Sequence, residues 1–74
     1  MKWHVEVWYK PGVTDATGQS VKKGIEDLGI KTVTSVRSGQ VYILDGRASK
    51  NDVRDICGKL LANGVIQNFI IKAG

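Results

Sequence analysis

Seventy-four residues, with 42% hydrophobic and 24% charged side chains, one proline and no low-complexity run, describe a single globular domain and exclude a disordered chain. Eleven Lys and Arg against seven Asp and Glu leave a formal charge of +4, but the basic residues are scattered, as on a solvated surface rather than a nucleic-acid stripe. A lone cysteine, Cys57, rules out an internal disulfide or a multi-cysteine metal site and fits a reducing compartment. The N-terminal residues lack the apolar core of a signal peptide and no stretch is long enough to span a membrane, so a cytoplasmic protein is expected.

Taken along the chain, residues 2 to 9 alternate, with Trp3, Val5, Val7 and Tyr9 on one side and Lys2, His4, Glu6 and Trp8 on the other, the period of a half-buried strand. Pro11-Gly12 ends it. Asp15 is placed to cap a helix from about 16 to 28, with Val21, Ile25 and Leu28 as its apolar stripe and Gly29 as its stop. Gly18 and Gly24 each cost that helix roughly 1 kcal/mol relative to alanine, which points to another backbone packed closely against it.

Residues 32 to 37 and 40 to 45 are β-rich, and Ser38-Gly39 between them predicts a tight hairpin, closed off by Asp45-Gly46. Ser49-Lys50-Asn51-Asp52 reads as a capping box for a second helix, whose stripe is Val53, Ile56, Cys57, Leu60 and Leu61. Asn63-Gly64 predicts a left-handed exit into a last strand from 65 to 72.

The order β-α-β-β-α-β over residues 1 to 74 implies a single α+β domain: a four-stranded antiparallel sheet with two helices on one face, the ferredoxin-like arrangement. The other face then carries apolar residues with no helix to cover them. At about 25 cal/mol per Å², shielding roughly 300 to 400 Å² would contribute about 8 to 10 kcal/mol before association entropy is charged, so dimerisation through sheet and hairpin surfaces is expected.

No catalytic constellation accompanies this pattern. His4 is the only histidine, Cys57 lies on an apolar stripe, and the carboxylates are placed as caps or solvated charges. The glycines from 39 to 46 lack the Lys-Ser/Thr tail and following helix of a phosphate loop. The same architecture hosts RNA-binding and ligand-binding regulatory modules, so Trp8 and Tyr42, on neighbouring strands, are candidates for base stacking or for an oligomer interface.

Val5-Glu6-Val7, the run from Asp15 to Val21 (Asp-Ala-Thr-Gly-Gln-Ser-Val), Val36-Arg37-Ser38-Gly39-Gln40, and Leu60-Leu61-Ala62-Asn63-Gly64-Val65-Ile66, in this order and at this length, resemble the PurS family across nearly the whole chain. That family is the small subunit of the phosphoribosylformylglycinamidine (FGAM) synthase complex of purine biosynthesis. The resemblance implies a protomer without catalytic residues that forms a homodimer or homotetramer and bridges a glutaminase subunit to an ATP-dependent synthetase subunit. It implies no cofactor on this chain, with ATP, magnesium and glutamine used by the complex; from the composition no membrane partner is expected, and nucleic acid is the minority option. Trp8, Asp15, Gly18, Arg37, Gly39, Gln40, Tyr42 and Asn63 are the residues expected to meet partners. The chain departs from the family pattern at Ala16 and Gly64, where proline is common, and at Gln67, where an acidic residue is common; these changes loosen two junctions and leave the fold intact.

Overall fold

A computed structural model of the chain describes residues 2–73, in the order β1 (Lys2–Tyr9), α1 (Ala16–Asp27), β2 (Gly39–Asp45), α2 (Lys50–Ile56), a π-helical turn (Cys57–Leu61) and β3 (Gln67–Ala73). Among the described residues the sheet has three antiparallel strands in the order β2-β1-β3. The strand expected over 32 to 37 does not form, and the Ser38-Gly39 hairpin is absent: residues 31–38 run without strand, turn or bend into β2. The reason lies at Ser38, whose backbone N–H and hydroxyl both donate to the Asp15 carboxylate at 2.6 and 2.5 Å. That clasp holds the chain open where a hairpin would have to close.

β1 is the central strand, and its alternation sets the core. Trp3, Val5 and Val7 are buried on the helix side with Val53 and Cys57, while Tyr42, Leu44, Leu61, Phe69 and Ile71 pack around them. The Trp3 indole N–H donates to the Ala48 carbonyl at 3.1 Å, which satisfies the one polar atom that this large side chain brings inside. α2 begins with the expected capping box, in which Ser49 Oγ accepts from the Asp52 N–H and the Asp52 carboxylate accepts from the Ser49 N–H, both at 3.1 Å.

The stripe of the second helix is broken. After Ile56 the helix widens, with the Ala62 N–H donating to the Cys57 carbonyl five residues back. The wider turn changes the phase, so Leu61 faces the core while Leu60, expected on the stripe, is 77% exposed. The exit also differs from expectation: Gly64 does not take positive φ, and an Asx turn forms in its place, with Asn63 Oδ1 accepting from the Val65 N–H at 3.0 Å. Asn63 has the short carbonyl arm to make that turn, so no left-handed glycine is required.

α1 ends as predicted. Gly29, at φ 86°, donates its N–H to Glu26, and Ile30 donates to Ile25, the paired bonds of a Schellman cap. Beyond its first turn, however, α1 has no extensive contact with the sheet, and Val21, Leu28 and Ile30 are exposed. Together α1 and residues 30–38 form a helix-strand arm. The protomer measures 47 × 25 × 14 Å with a radius of gyration of 15.3 Å, whereas a compact domain of this length has about 11 Å.

Candidate functional site

Three loops meet at one end of the sheet. β1 delivers Trp8, Tyr9 and Lys10 there, β2 starts there at Gly39, and β3 starts there at Gln67. Lys10 ties the last loop in place: its backbone N–H donates to Ile66 O at 2.8 Å and its ammonium to Gly64 O at 2.7 Å. Asn63 joins the same loop through its N–H, which donates to Gln67 Oε1 at 2.8 Å.

At the centre of this end sits Asp15. Its carboxylate caps α1 by accepting from the Gly18 N–H at 2.8 Å and clasps Ser38 as described. These bonds, from Ser38 first and then from Gly18, hold the Asp15 carboxyl below its ordinary value, with a smaller contribution from the nearby Arg37 charge. Gly18 is buried and must be glycine for space: a Cβ there would meet Val36 O and Asp15 Oδ2, each at 2.7 Å. The close backbone approach predicted from the helical glycines is therefore real at Gly18. At Gly24 a Cβ would meet nothing within 4 Å, so there the prediction fails.

Arg37 stacks on Trp8, its guanidinium carbon 5.0 Å from the ring centroid. Gly39 lets that ring lie against the backbone, since a Cβ would meet Trp8 Cε3 at 2.8 Å and Val7 O at 2.7 Å. Two cavities of about 330 Å³ flank the Asp15 clasp, one lined by Val7, Tyr9, Thr17, Gly39, Gln40 and Gln67, the other by Tyr9, Lys10, Pro11, Val13, Val36 and Arg37. Of the expected site residues, Trp8, Asp15, Gly18, Arg37, Gly39, Gln40 and Asn63 gather at this end. Tyr42 lies further along β2, on the helix side, with its hydroxyl donating to Gln40 Oε1 at 2.7 Å. Ser38, Lys10 and Gln67 were not expected in the site; bonds spanning 23 and 54 residues place the first two there, and no local sequence pattern carries such separations.

The face of the sheet opposite the helices is the second candidate surface. Register puts Val41 beside Glu6 and Ile43 beside His4 on one side of β1, and Ile70 beside Glu6 on the other. Val41, Ile43 and Ile70 are 56%, 48% and 46% exposed. Between them Glu6 accepts from Lys72 Nζ at 3.0 Å and Trp8 Nε1 at 3.1 Å, with His4 Nε2 at 3.2 Å. Those partners, Lys72 foremost, hold the Glu6 carboxyl below its ordinary value. The Glu6 charge is thus already paired, with Val41 and Ile70 on either side of it. Register also separates the two candidate stacking aromatics: Trp8 belongs to this bare face and Tyr42, opposite Val5, to the helix side, so they cannot form one platform for bases.

Cys57 is fully buried, and desolvation pushes its thiol up, the opposite of a nucleophile's environment. Among the described residues no three His, Cys, Asp or Glu side chains are grouped as metal ligands, and no helix is long and apolar enough to cross a membrane.

A small α+β chain whose polar residues brace loops, and which exposes Val41, Ile43 and Ile70 on a sheet face, fits the class of assembly subunits. The particular family follows from comparison: the PurS pattern, described as phosphoribosylformylglycinamidine (FGAM) synthase, matches residues 2–74, and the chain belongs to that family of FGAM synthase subunits of purine biosynthesis. The chain is 35% identical to the Archaeoglobus fulgidus phosphoribosylformylglycinamidine synthase subunit PurS, with 90% of each chain covered. PurS from Bacillus subtilis superposes with a TM-score of 0.85 at 32% identity, covering 96% of this chain and 94% of that one. A chain of the PurLQS structure from Thermotoga maritima shares the fold with a TM-score of 0.79 at 21% identity, covering 96% and 93%.

Proposed function

We propose that this chain is the non-catalytic small subunit of the ATP- and glutamine-dependent FGAM synthase, and that it bridges the glutaminase and synthetase subunits so that ammonia passes between them. The observation that carries the reading is the family match over residues 2–74, in a chain whose site residues brace loops and which exposes Val41, Ile43 and Ile70 on one sheet face. Ammonia released into water is protonated and lost, so two active sites that share it have to be held in fixed register. A small rigid spacer does that without chemistry of its own.

The two surfaces divide the work. The bare face of Val41, Ile43 and Ile70 docks on a second copy, while the loop end built on Asp15, Gly18 and Ser38 presents Arg37 and Trp8 to the large subunits. Magnesium, ATP and glutamine are bound by those larger partners, and this chain binds none of them. Arg37→Ala tests the division: glutamine-dependent synthesis should fall while synthesis from added ammonium salt is spared. Equal loss in both assays would refute the assignment.

A further inference from the structure

The cavity over the C-terminal end of β1 has no part in the division of surfaces above, and its lining is of one chemical kind. Its floor is Val7 and Tyr9, on the helix side of the sheet. Register puts Gln40 of β2 opposite Val7 and Gln67 of β3 opposite Tyr9, so one glutamine stands on each flanking strand on that same side. The two outer strands are about 10 Å apart, with the groove over β1 between them. The first turn of α1, seated by the buried Gly18, brings Thr17 to a third side, and Ser38 closes the fourth. Both amides are oriented by bonds at their oxygens: Gln67 Oε1 accepts from the Asn63 N–H at 2.8 Å, and Gln40 Oε1 accepts from the Tyr42 hydroxyl at 2.7 Å. A backbone N–H can only donate, so the Gln67 amide is fixed with its oxygen used and its NH2 left over. Among the described residues neither NH2 group has an acceptor.

We propose that this cavity binds a small organic carboxylate, held by Gln40 Nε2 and Gln67 Nε2, with its apolar body against Val7 and Tyr9. Two amides whose oxygens are already used offer only N–H donors. A carboxylate is all acceptor and has two oxygens, one for each amide, and hydrogen bonds to an ionised acceptor are about twice as strong as neutral ones. A neutral amide fits less well, because half of its head is itself a donor. Phosphate fits less well for another reason: among the described residues no Lys, Arg or His lines the cavity, and a dianion taken out of water needs a cation in contact. A single negative charge is still favoured by what lies next door. Lys10 and Arg37 line the adjoining cavity, the first bonded to the neutral Gly64 carbonyl and the second stacked on Trp8. Asp15 lines it too, but its carboxylate is taken up by Ser38 and Gly18. A volume of about 330 Å³ lies at the lower end of small-molecule sites, about 300 to 1,000 Å³, so the occupant has a short body. The proposal concerns this chain alone and does not rest on the role assigned above.

The test uses the full chain with isotope-labelled glutamine side chains, read by NMR at neutral pH and constant ionic strength. The probes are butyrate, its neutral counterpart butyramide, and inorganic phosphate. With butyrate the NH2 signals of Gln40 and Gln67 should move together along one saturation curve in the millimolar range, as suits so small a ligand. Gln19, exposed on α1 and outside the lining, is the internal control and should stay still. Butyramide and phosphate should each bind at least about tenfold more weakly. Gln67→Glu keeps an oxygen for the Asn63 N–H but replaces the donor with a carboxylate that repels the ligand, and Gln40→Glu does the same beside Tyr42. Each variant should weaken butyrate binding at least about tenfold, while its backbone spectrum reports an intact sheet. Gln40 and Gln67 signals that ignore butyrate, that respond equally to butyramide or phosphate, or a butyrate affinity unchanged in both variants would overturn the proposal. None of these results bears on binding to the large subunits.

Discussion

The same substitution at two positions of one helix should have opposite effects. Replacing a helical glycine by alanine favours the helix by about 1 kcal/mol through backbone entropy and propensity. At Gly24 the new methyl meets open space, so Gly24→Ala should stabilise by about 0.5 to 1 kcal/mol. At Gly18 the methyl lands 2.7 Å from Val36 O, a backbone atom of the arm, and 2.7 Å from the clasping Asp15 oxygen. Neither can yield without loosening the Asp15-Ser38 bonds, and overpacking of this kind costs about 1 to 3 kcal/mol. The net expectation for Gly18→Ala is a loss of up to about 2 kcal/mol after the helix gain is subtracted. One kcal/mol moves the melting midpoint of a domain this size by about 4 to 8 °C, so Gly24→Ala should melt above Gly18→Ala, by up to roughly 20 °C. Thermal unfolding at equal protein concentration reads the difference, a precaution needed because association shifts the midpoint. If Gly18→Ala proved as stable as Gly24→Ala, the close approach of arm and helix would be wrong.

Acid should weaken the protein through two carboxylates. Asp15 and Glu6 are both held below their ordinary values of 3.8 and 4.5, so each contributes stability that is complete above those values and is lost as the pH falls through the lower folded ones. Asp15→Asn should flatten that acid limb in a pH series of urea midpoints. Ile43→Lys places a charge in the apolar bare face and should reduce self-association in sedimentation while circular dichroism stays unchanged. Cys57, buried and with its thiol pushed up, should resist a thiol reagent in the native state and react at once in denaturant.

Where local chemistry decides, the residues could be read directly. The alternation of Trp3, Val5 and Val7 fixed both the core face and the bare face, Ser49 and Asp52 made the capping box, and Gly29 ended α1 with positive φ. What could not be read was the choice between local options that long-range bonds decide. Ser38-Gly39 has the composition of a hairpin turn, but Asp15, 23 residues away, takes Ser38 first. Asn63-Gly64 offers a left-handed exit, but the Asn63 side chain closes a different turn. Leu60 follows the helical period, but the π turn displaces it. For the site, Asp15, Gly18, Arg37 and Gly39 were legible as a cap, a helical glycine and loop residues, while Ser38 and Lys10 act through distant backbone atoms that no pattern announces.

The central claim is that this protomer is incomplete alone and exists to hold larger subunits together. It is tested most directly by mixing the chain with the glutaminase and synthetase subunits, passing the mixture over a sizing column with light scattering, and assaying glutamine-dependent FGAM formation in the eluted peak. All three chains should travel together, and activity with glutamine should depend on the small one. A stable single protomer that elutes apart from both, leaving activity unchanged, would contradict the account.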